Sequence, residues 1–191
     1  NEGTDFDSRL KSSKEKLELL RNKLQEAAIE LHDQRKQTAE KFSQNIKKKL
    51  LKLGMKDTNF RVEFLSKLAS TDKYIKFKNE KVIPKNNGID EIEFQIITNV
   101  GESYKPLVKV ASGGEISRIM LAIKTVLAGA DSIGTLIFDE IDSGVSGKIG
   151  RIVGEHIESL TKFHQVLCIT HLPQIASLGK NHIFVDKMVE D

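Results

Sequence analysis

The sequence contains a single cysteine, Cys168, among its 191 residues. One thiol excludes an internal disulfide, and its position in the apolar run Val166–Ile169 predicts a buried core thiol in a reducing cytoplasm. The sequence has no signal peptide, and no uninterrupted apolar run approaches the roughly 18 to 20 residues that a membrane span needs. We therefore expect a soluble protein that does not associate with membranes.

Glycine and proline are absent between Phe6 and Leu53, so no residue in this segment breaks a helix. Apolar residues recur there at coiled-coil spacing, and the apolar positions restart in a new phase from Phe42. The seam consists of Leu10, Leu17, Leu24 and Leu31, with Leu20 and Ala27 at the other seam position. We predict a coiled-coil arm helix over residues 1–57 that needs a partner helix. The shift of phase is typical of a stutter or of a helix that leaves a coiled coil to pack on a globular body.

A phosphate-binding loop of the form G-x-x-x-x-G-K-[ST] is also missing. The nearest segment, Gly144–Ile149, has the wrong glycine spacing and lacks a Ser or Thr after Lys148. The chain begins at Asn1 and stops soon after the apolar run Ile183–Val185. We expect it to be a piece of a longer protein.

Charge is unevenly distributed, although the net charge is only +3. Residues 1–59 hold 14 Lys or Arg and 10 Asp or Glu, which leaves 16 and 17 for the rest. Four lysines cluster near the end of the predicted helix: Lys47, Lys48, Lys49 and Lys52. Such a cluster could contact a DNA phosphate backbone, but the pattern favours a solvated helix face.

The second predicted domain, residues 58–191, changes pattern along its length. Apolar and polar residues alternate at 61–64, 74–77 and 92–96, which predicts antiparallel strands with turns such as Asn86–Gly88. After Pro106, helical stripes alternate with apolar strands, which predicts a mostly parallel sheet with helices on both faces. The stripes cover 116–127 and 149–160, and the strands cover 136–138, 166–169 and 182–185. The predicted fold class is α/β.

Ser112 and Glu115 form a capping box, so a helix should begin there. Gly113 and Gly114 leave backbone N–H groups uncovered at the positive end of this helix, which suits an anionic phosphate. By itself, the motif is also compatible with ordinary helix capping.

Asp139 and Glu140 end a strongly apolar strand, and the carboxyl ends of parallel strands are where ligands bind in α/β sheets. One carboxylate could hold Mg²⁺ through water while the other orients an attacking water. The next strand ends in Thr170-His171, which brings an imidazole to the same edge. Solvated acids or a surface histidine would explain each motif alone, but their ordered combination favours a nucleotide site with His171 as γ-phosphate sensor.

Three segments together closely resemble the RecN family of bacterial DNA-repair proteins, relatives of the SMC ATPases within the ABC class. They are Lys105–Lys124, Phe138–Gly147 and Thr170–Ala176. The resemblance covers roughly residues 58 to 188, and the preceding helix is similar in kind as one strand of a coiled-coil arm. It implies the C-terminal lobe of an ABC-type P-loop ATPase head.

The resemblance also implies a role for each matching residue. Ser112, Gly113, Gly114 and Glu115 would be the signature motif, which contacts the γ-phosphate of ATP held by the opposite head. Asp139 would hold Mg²⁺ through water, and Glu140 would be the general base. Asp142 and Ser143 would lie in the D-loop at the head–head contact, and His171 would be the switch histidine.

The function implied by the resemblance is a DNA-stimulated ATPase in double-strand-break repair and recombination, located in the cytoplasm at the nucleoid. Its cofactors would be ATP and Mg²⁺, and its partners DNA, a second head of the same protein and recombination proteins. This chain alone, without a phosphate loop, is expected to be inactive.

Three alternatives are an SMC-type chromosome organiser, a transporter ATPase subunit and a non-catalytic coiled-coil assembly protein. Ala111, where many ABC proteins have leucine, and the arm helix disfavour the transporter, while Leu172–Gln174 favours RecN over SMC. The assembly protein leaves the three ordered motifs unexplained.

Overall fold

The computed structural model describes residues 2–145 and 147–186, with side chains from Phe6 onward. Its helices are α1 (Glu2–Lys52), α2 (Gly113–Leu127), α3 (Gly147–Leu160) and α4 (Pro173–Ala176), with one 3₁₀ turn at Leu107–Lys109. Its strands are β1 (Asn59–Leu65), β2 (Ile75–Phe77), β3 (Glu80–Val82), β4 (Glu91–Ile97), β5 (Lys105–Pro106), β6 (Thr135–Phe138) and β7 (Gln165–Cys168). Nowhere in these ranges is a helix both long and apolar enough to cross a bilayer.

The predicted long helix is confirmed as α1, which ends where Gly54 adopts φ 86°. A left-handed residue after the last turn lets the chain leave the helix, and the N–H of Met55 donates to the carbonyl of Leu50 at 3.0 Å. Three leucines of the predicted seam are solvent-exposed: Leu10 is 43% exposed, Leu17 55% and Leu24 45%.

The described residues group into two compact units. Unit one comprises the chain up to Lys41 together with Arg61–Phe94, and unit two comprises Phe42–Phe60 together with the chain from Gln95 onward. The sequence-based division into an arm at 1–57 and a lobe at 58–191 stays a prediction.

Unit one is centred on the antiparallel hairpin β2–β3, in which Ile75 pairs with Val82. Both side chains are fully buried, together with Ala28 of α1 and Ile89, and Phe77 packs against them. The predicted seam residue Ala27 is exposed instead, because this packing sets the phase of α1.

A polar group is buried beside this core. Nδ1 of His32 lies 2.6 Å from Oδ1 of Asp90, and Arg35 donates to Oδ2 of Asp90 at 3.2 Å. The ring of His32 also contacts Phe64 and Phe77 edge-on. The carboxylate therefore has partners for both oxygens, as a buried charge requires.

The strands predicted at 61–64, 74–77 and 92–96 are confirmed as β1, β2 and β4, whereas the short β3 and β5 were not predicted. The predicted antiparallel direction is confirmed for β2 and β4. β1, β4 and β5 form a sheet in the order β1-β4-β5, with β4 and β5 antiparallel. The turn predicted at Asn86–Gly88 is present, since Lys85 and Gly88 pair as an isolated bridge.

Unit two contains the parallel pair β6 and β7, joined by α3. Leu136 and Phe138 of β6 are buried, but Ile137 is 69% exposed, and its register neighbour Leu167 on β7 is 44% exposed. The parallel pairing is confirmed, whereas covering of both sheet faces is wrong for the described residues. This pair has one covered and one open face.

The strand predicted at 182–185 is also wrong. Residues 182–186 are irregular, and the side chains of Ile183, Phe184 and Val185 are 87%, 88% and 85% exposed. An apolar run becomes a strand only beside a partner strand, and this segment pairs with neither β6 nor β7.

Candidate nucleotide-binding site

The N-terminus of α2 begins where the capping box predicts. Ser112 is the N-cap residue, and its Oγ accepts a hydrogen bond from the N–H of Glu115 at 3.4 Å. Glu115 lies in the first turn, where a negative charge is favoured by the helix dipole. The predicted helix start is therefore confirmed.

The two glycines of this motif are tightly surrounded. A Cβ on Gly113 would collide with the carboxylate of Glu140, and a Cβ on Gly114 would lie 2.8 Å from Cβ and 3.0 Å from the carbonyl oxygen of Ser143. The first clash involves the end of a flexible side chain, but the second involves backbone. Gly114 is therefore the more constrained position.

The loop after β6 is tied to the first turns of α2. The hydroxyl of Ser117 donates to the carbonyl oxygen of Asp139 at 2.8 Å, and the N–H of Glu140 donates to Oδ1 of Asp139 at 2.8 Å. Glu140 has φ 55°, an uncommon conformation for a residue with a side chain and one found at functional sites. Both acidic side chains remain exposed.

Asp142 joins this loop to the end of β7. Its Oδ2 accepts from the Thr170 hydroxyl at 2.6 Å and from the His171 N–H at 3.0 Å, and it lies 3.1 Å from Nδ1 of His171. Burial alone would raise the pKa of Asp142, but the hydrogen bonds from Thr170 and His171 outweigh it and lower the pKa below its usual value. The His171 side chain itself is 77% exposed.

Arg118 is a site residue that the sequence analysis missed. Its guanidinium is buried, and Nη1 donates to the carbonyl oxygen of Ser143 at 2.7 Å. Burial lowers the pKa of Arg118, while the nearby Glu115 carboxylate raises it. The sequence offers one signal for this residue: Arg118 is the single arginine in the otherwise largely apolar helix predicted at 116–127. If such an arginine is buried, its guanidinium needs a specific hydrogen-bond acceptor.

Cys168, at the end of β7, is only half-buried, so the predicted buried core thiol is wrong. Burial, and then the negative charges of Asp142 and Asp139, raise its pKa to about 11. The thiol therefore stays protonated at neutral pH and is a poor nucleophile.

The four lysines proposed for DNA contact lie on or near the last turn of α1. Lys47, Lys48 and Lys52 are exposed and Lys49 is half-buried. Burial lowers the pKa of His156 on α3, and the charges of Lys49 and Lys52 lower it further. Lys49 and Lys52 therefore lie close enough to His156 to affect its protonation. The role of the four lysines in DNA contact stays a prediction.

The structure brings together residues from three separate motifs: Ser112 to Glu115, Asp139 to Ser143, and Thr170 with His171. The Glu140 carboxylate lies directly beside Gly113, in the space that a side chain at this position would fill. In the described residues, no group of three or more His, Cys, Asp and Glu side chains could hold a metal. A Mg²⁺ bound by one carboxylate together with phosphate oxygens still fits the exposed Asp139.

Solved structures with this fold define its class. The Smc head domain with a coiled coil and joint from Pyrococcus yayanosii aligns with a TM-score of 0.50 at 20% identity, over 90% of this chain and 30% of that chain. The chain therefore has the fold of an SMC-type ATPase head, and the predicted α/β class is confirmed.

Sequence comparison narrows the class to a family, although no family model matches the chain. The DNA repair protein RecN of Halalkalibacterium halodurans is 39% identical over 181 residues, which are 95% of this chain and 30% of that protein. RecN of Bacillus subtilis is 38% identical over 186 residues, which are 97% of this chain and 32% of that protein. RecN of Treponema pallidum is 44% identical over 149 residues. The chain belongs to the RecN family and corresponds to its C-terminal region. The matches span between a quarter and a third of the length of these relatives.

Proposed function

We propose that this chain is the C-terminal ATPase lobe of a protein that acts in DNA double-strand-break repair and recombination. The names of its relatives support the repair assignment, and the fold supports an SMC-type ATPase. The observation that carries the proposal is the bridge from Asp142 to Thr170 and His171 beside the Gly113–Glu140 contact. This arrangement joins all three motifs at one place.

The proposed chemistry divides among five side chains or motifs. Asp139 would hold Mg²⁺ through water, and the ion would neutralise charge on the phosphates of ATP. Glu140 orients the attacking water and accepts its proton. His171 contacts the γ-phosphate, and Asp142 positions it through the hydrogen bond to its backbone. Ser112 to Glu115 offer the positive end of α2 to the γ-phosphate of ATP held by a second head.

The contact between Glu140 and Gly113 couples these roles. A phosphate that approaches the start of α2 meets the negative charge of the Glu140 carboxylate and repels it. Association of two heads around ATP would therefore move Glu140 away from Gly113 and free it to act as a base. Loss of the γ-phosphate by hydrolysis would restore the contact and release the heads.

The remaining parts of the proposal concern the complete protein. No G-x-x-x-x-G-K-[ST] loop occurs in these 191 residues, so we infer that another segment supplies it and that this chain alone does not hydrolyse ATP. The proposed partners are DNA, a second copy of the protein and recombination proteins. The proposed location is the cytoplasm at the nucleoid, where the DNA lies.

The test is ATP hydrolysis by the complete protein, with and without DNA, for wild type and Glu140→Gln. We expect turnover that DNA stimulates and that falls at least about a hundredfold in the variant, as for loss of a general base. Glu158→Gln, which removes an exposed carboxylate on α3, is the matched control and should leave turnover unchanged. Equal turnover for Glu140→Gln and wild type would refute the role of Glu140, and stimulation absent in wild type would remove the DNA-dependent part.

A further inference from the structure

The hairpin β2–β3 places two lysines directly opposite each other. Lys76 on β2 pairs with Lys81 on β3, and both side chains are exposed. Their neighbours Ile75 and Val82 are buried, so alternation along each strand puts the two lysines on the outer face. Like charges directly opposite each other destabilise a strand pair, so the hairpin retains a feature that its own folding does not favour.

The positive charge on this face extends beyond the pair. Nζ of Lys81 lies 4.3 Å from the ring centroid of Tyr74, and the guanidinium of Arg21 on α1 lies 4.7 Å from the same centroid. Arg21 also donates to the carbonyl oxygen of Asp72 at 2.8 Å and pairs with Glu18. The Tyr74 ring therefore contacts two cations. We use the name hairpin cation cluster for Arg21, Lys76 and Lys81 together with the Tyr74 ring.

Few acidic residues compensate this charge. The segment from Lys67 to Lys85 contains six lysines but only two acids, Asp72 and Glu80. Glu80 pairs with Phe77, on the opposite face of the hairpin from Lys76. Within the described part of the chain, Lys76 and Lys81 have no carboxylate at ion-pair distance. The field at the outer face therefore favours an anionic partner.

The hairpin turn adds a further cation. Lys78 and Asn79 both have positive φ, at 48° and 64°, as a two-residue primed turn requires. Asparagine and glycine are the usual residues at such positions, so Lys78 occupies a conformation that a lysine rarely adopts. Its Nζ lies 5.0 Å from the ring centroid of Phe77, which keeps the charge at the tip of the hairpin.

We propose that the hairpin cation cluster binds the phosphate backbone of duplex DNA. The inference rests on the proposed function for the identity of the ligand, and it adds a contact separate from the lysines at 47–52. Exposed lysines on one face of a hairpin can contact phosphates through charge without reading base sequence. DNA phosphates also neutralise the Lys76–Lys81 repulsion, so the unfavourable feature of the free hairpin becomes favourable in the complex.

The experiment measures binding of a fluorescent mixed-sequence DNA duplex to the complete protein without nucleotide, over a series of salt concentrations. For Lys76→Gln we expect the dependence of log K on log salt to become shallower by about 0.9, and affinity at 0.1 M salt to fall roughly eightfold. Lys162→Gln removes an exposed lysine elsewhere and is the matched control. ATP turnover without DNA should stay at the wild-type value in both variants.

A second variant separates charge from folding. Lys76→Glu places opposite charges across the hairpin, so we expect its thermal unfolding midpoint to equal or exceed that of wild type while DNA affinity falls further than in Lys76→Gln. Wild-type affinity and salt dependence in both Lys76 variants would overturn the proposal. Poly-glutamate that competes as strongly as DNA would also overturn it, in favour of an acidic protein partner. These readouts are independent of the turnover of Glu140→Gln, so failure of the ATPase assignment would be recognised separately.

Discussion

The hydroxyl of Thr170 donates a 2.6 Å hydrogen bond to Oδ2 of Asp142, which lies 28 residues earlier in the chain. The N–H of His171 donates to the same oxygen, so one buried carboxylate holds together the loops that follow β6 and β7. The position of the His171 backbone is therefore set by Asp142 rather than by the strand alone.

The first prediction removes the hydroxyl from this bridge. Thr170→Val keeps the shape of the side chain but leaves Asp142 without its shortest hydrogen bond. Because the acceptor is charged and buried, we expect the free energy of unfolding to fall by about 1–3 kcal/mol in chemical denaturation. Turnover of the complete protein should also fall, because Asp142 then holds the segment of His171 through the backbone N–H but no longer through Thr170.

Thr161→Val is the matched control for that change. The Thr161 hydroxyl donates at 2.7 Å to the carbonyl of Glu158 at the exposed end of α3, where water can replace it. We expect a change within about 0.5 kcal/mol. A loss of stability in Thr161→Val equal to that in Thr170→Val would contradict the bridge.

The second prediction is that the stabilising contribution of Asp142 decreases at acidic pH. The pKa of Asp142 is lower in the folded chain than its ordinary value of 3.8, so its contribution to stability is fully present above that value. It is lost as pH falls through the folded pKa, because the unfolded chain then binds the proton more readily. Below about pH 4 the stability difference between wild type and Asp142→Asn should therefore shrink, as measured by denaturation at a series of pH values. A stability difference between wild type and Asp142→Asn that stays constant from pH 6 to pH 2 would contradict a lowered pKa for Asp142.

The third prediction tests the close approach at Gly114. An added methyl group in Gly114→Ala would press on Cβ and the carbonyl oxygen of Ser143, so we expect a loss of about 1–3 kcal/mol in the free energy of unfolding. Gly134→Ala is the control, because nothing lies within 4 Å of its added Cβ. Gly114→Ala should also weaken ATP-dependent association of heads in the complete protein, measured by sedimentation. Equal stability of the two variants would show that Ser143 moves aside freely.

Local sequence signals predicted those elements whose formation depends on neighbouring residues. The helix start at Ser112 follows from capping chemistry, and α1 follows from a long stretch without glycine or proline. The parallel pairing of β6 and β7 follows from apolar strands joined by a helix. The same topology places Asp139 and Thr170-His171 just after the carboxyl ends of two paired strands.

Features that depend on tertiary packing could not be predicted from local sequence signals. Ala28 rather than Ala27 is buried because the β2–β3 hairpin, and not a heptad partner, sets the phase of α1 there. The bond from Arg118 to Ser143 joins residues that are 25 positions apart, and no periodicity reports it. The run at Ile183–Val185 has strand composition, but hydrogen bonding to a neighbouring strand decides whether a strand forms.

The open face of the β6–β7 pair has a practical consequence for anyone who handles this chain. Ile137 and Leu167 lie side by side on it, and Ile169 continues the same row at 60% exposure. Exposed apolar surfaces of this kind associate with one another, so at high concentration the isolated chain would form non-physiological aggregates. Light scattering should be examined before any oligomer of this chain is assigned a physiological meaning.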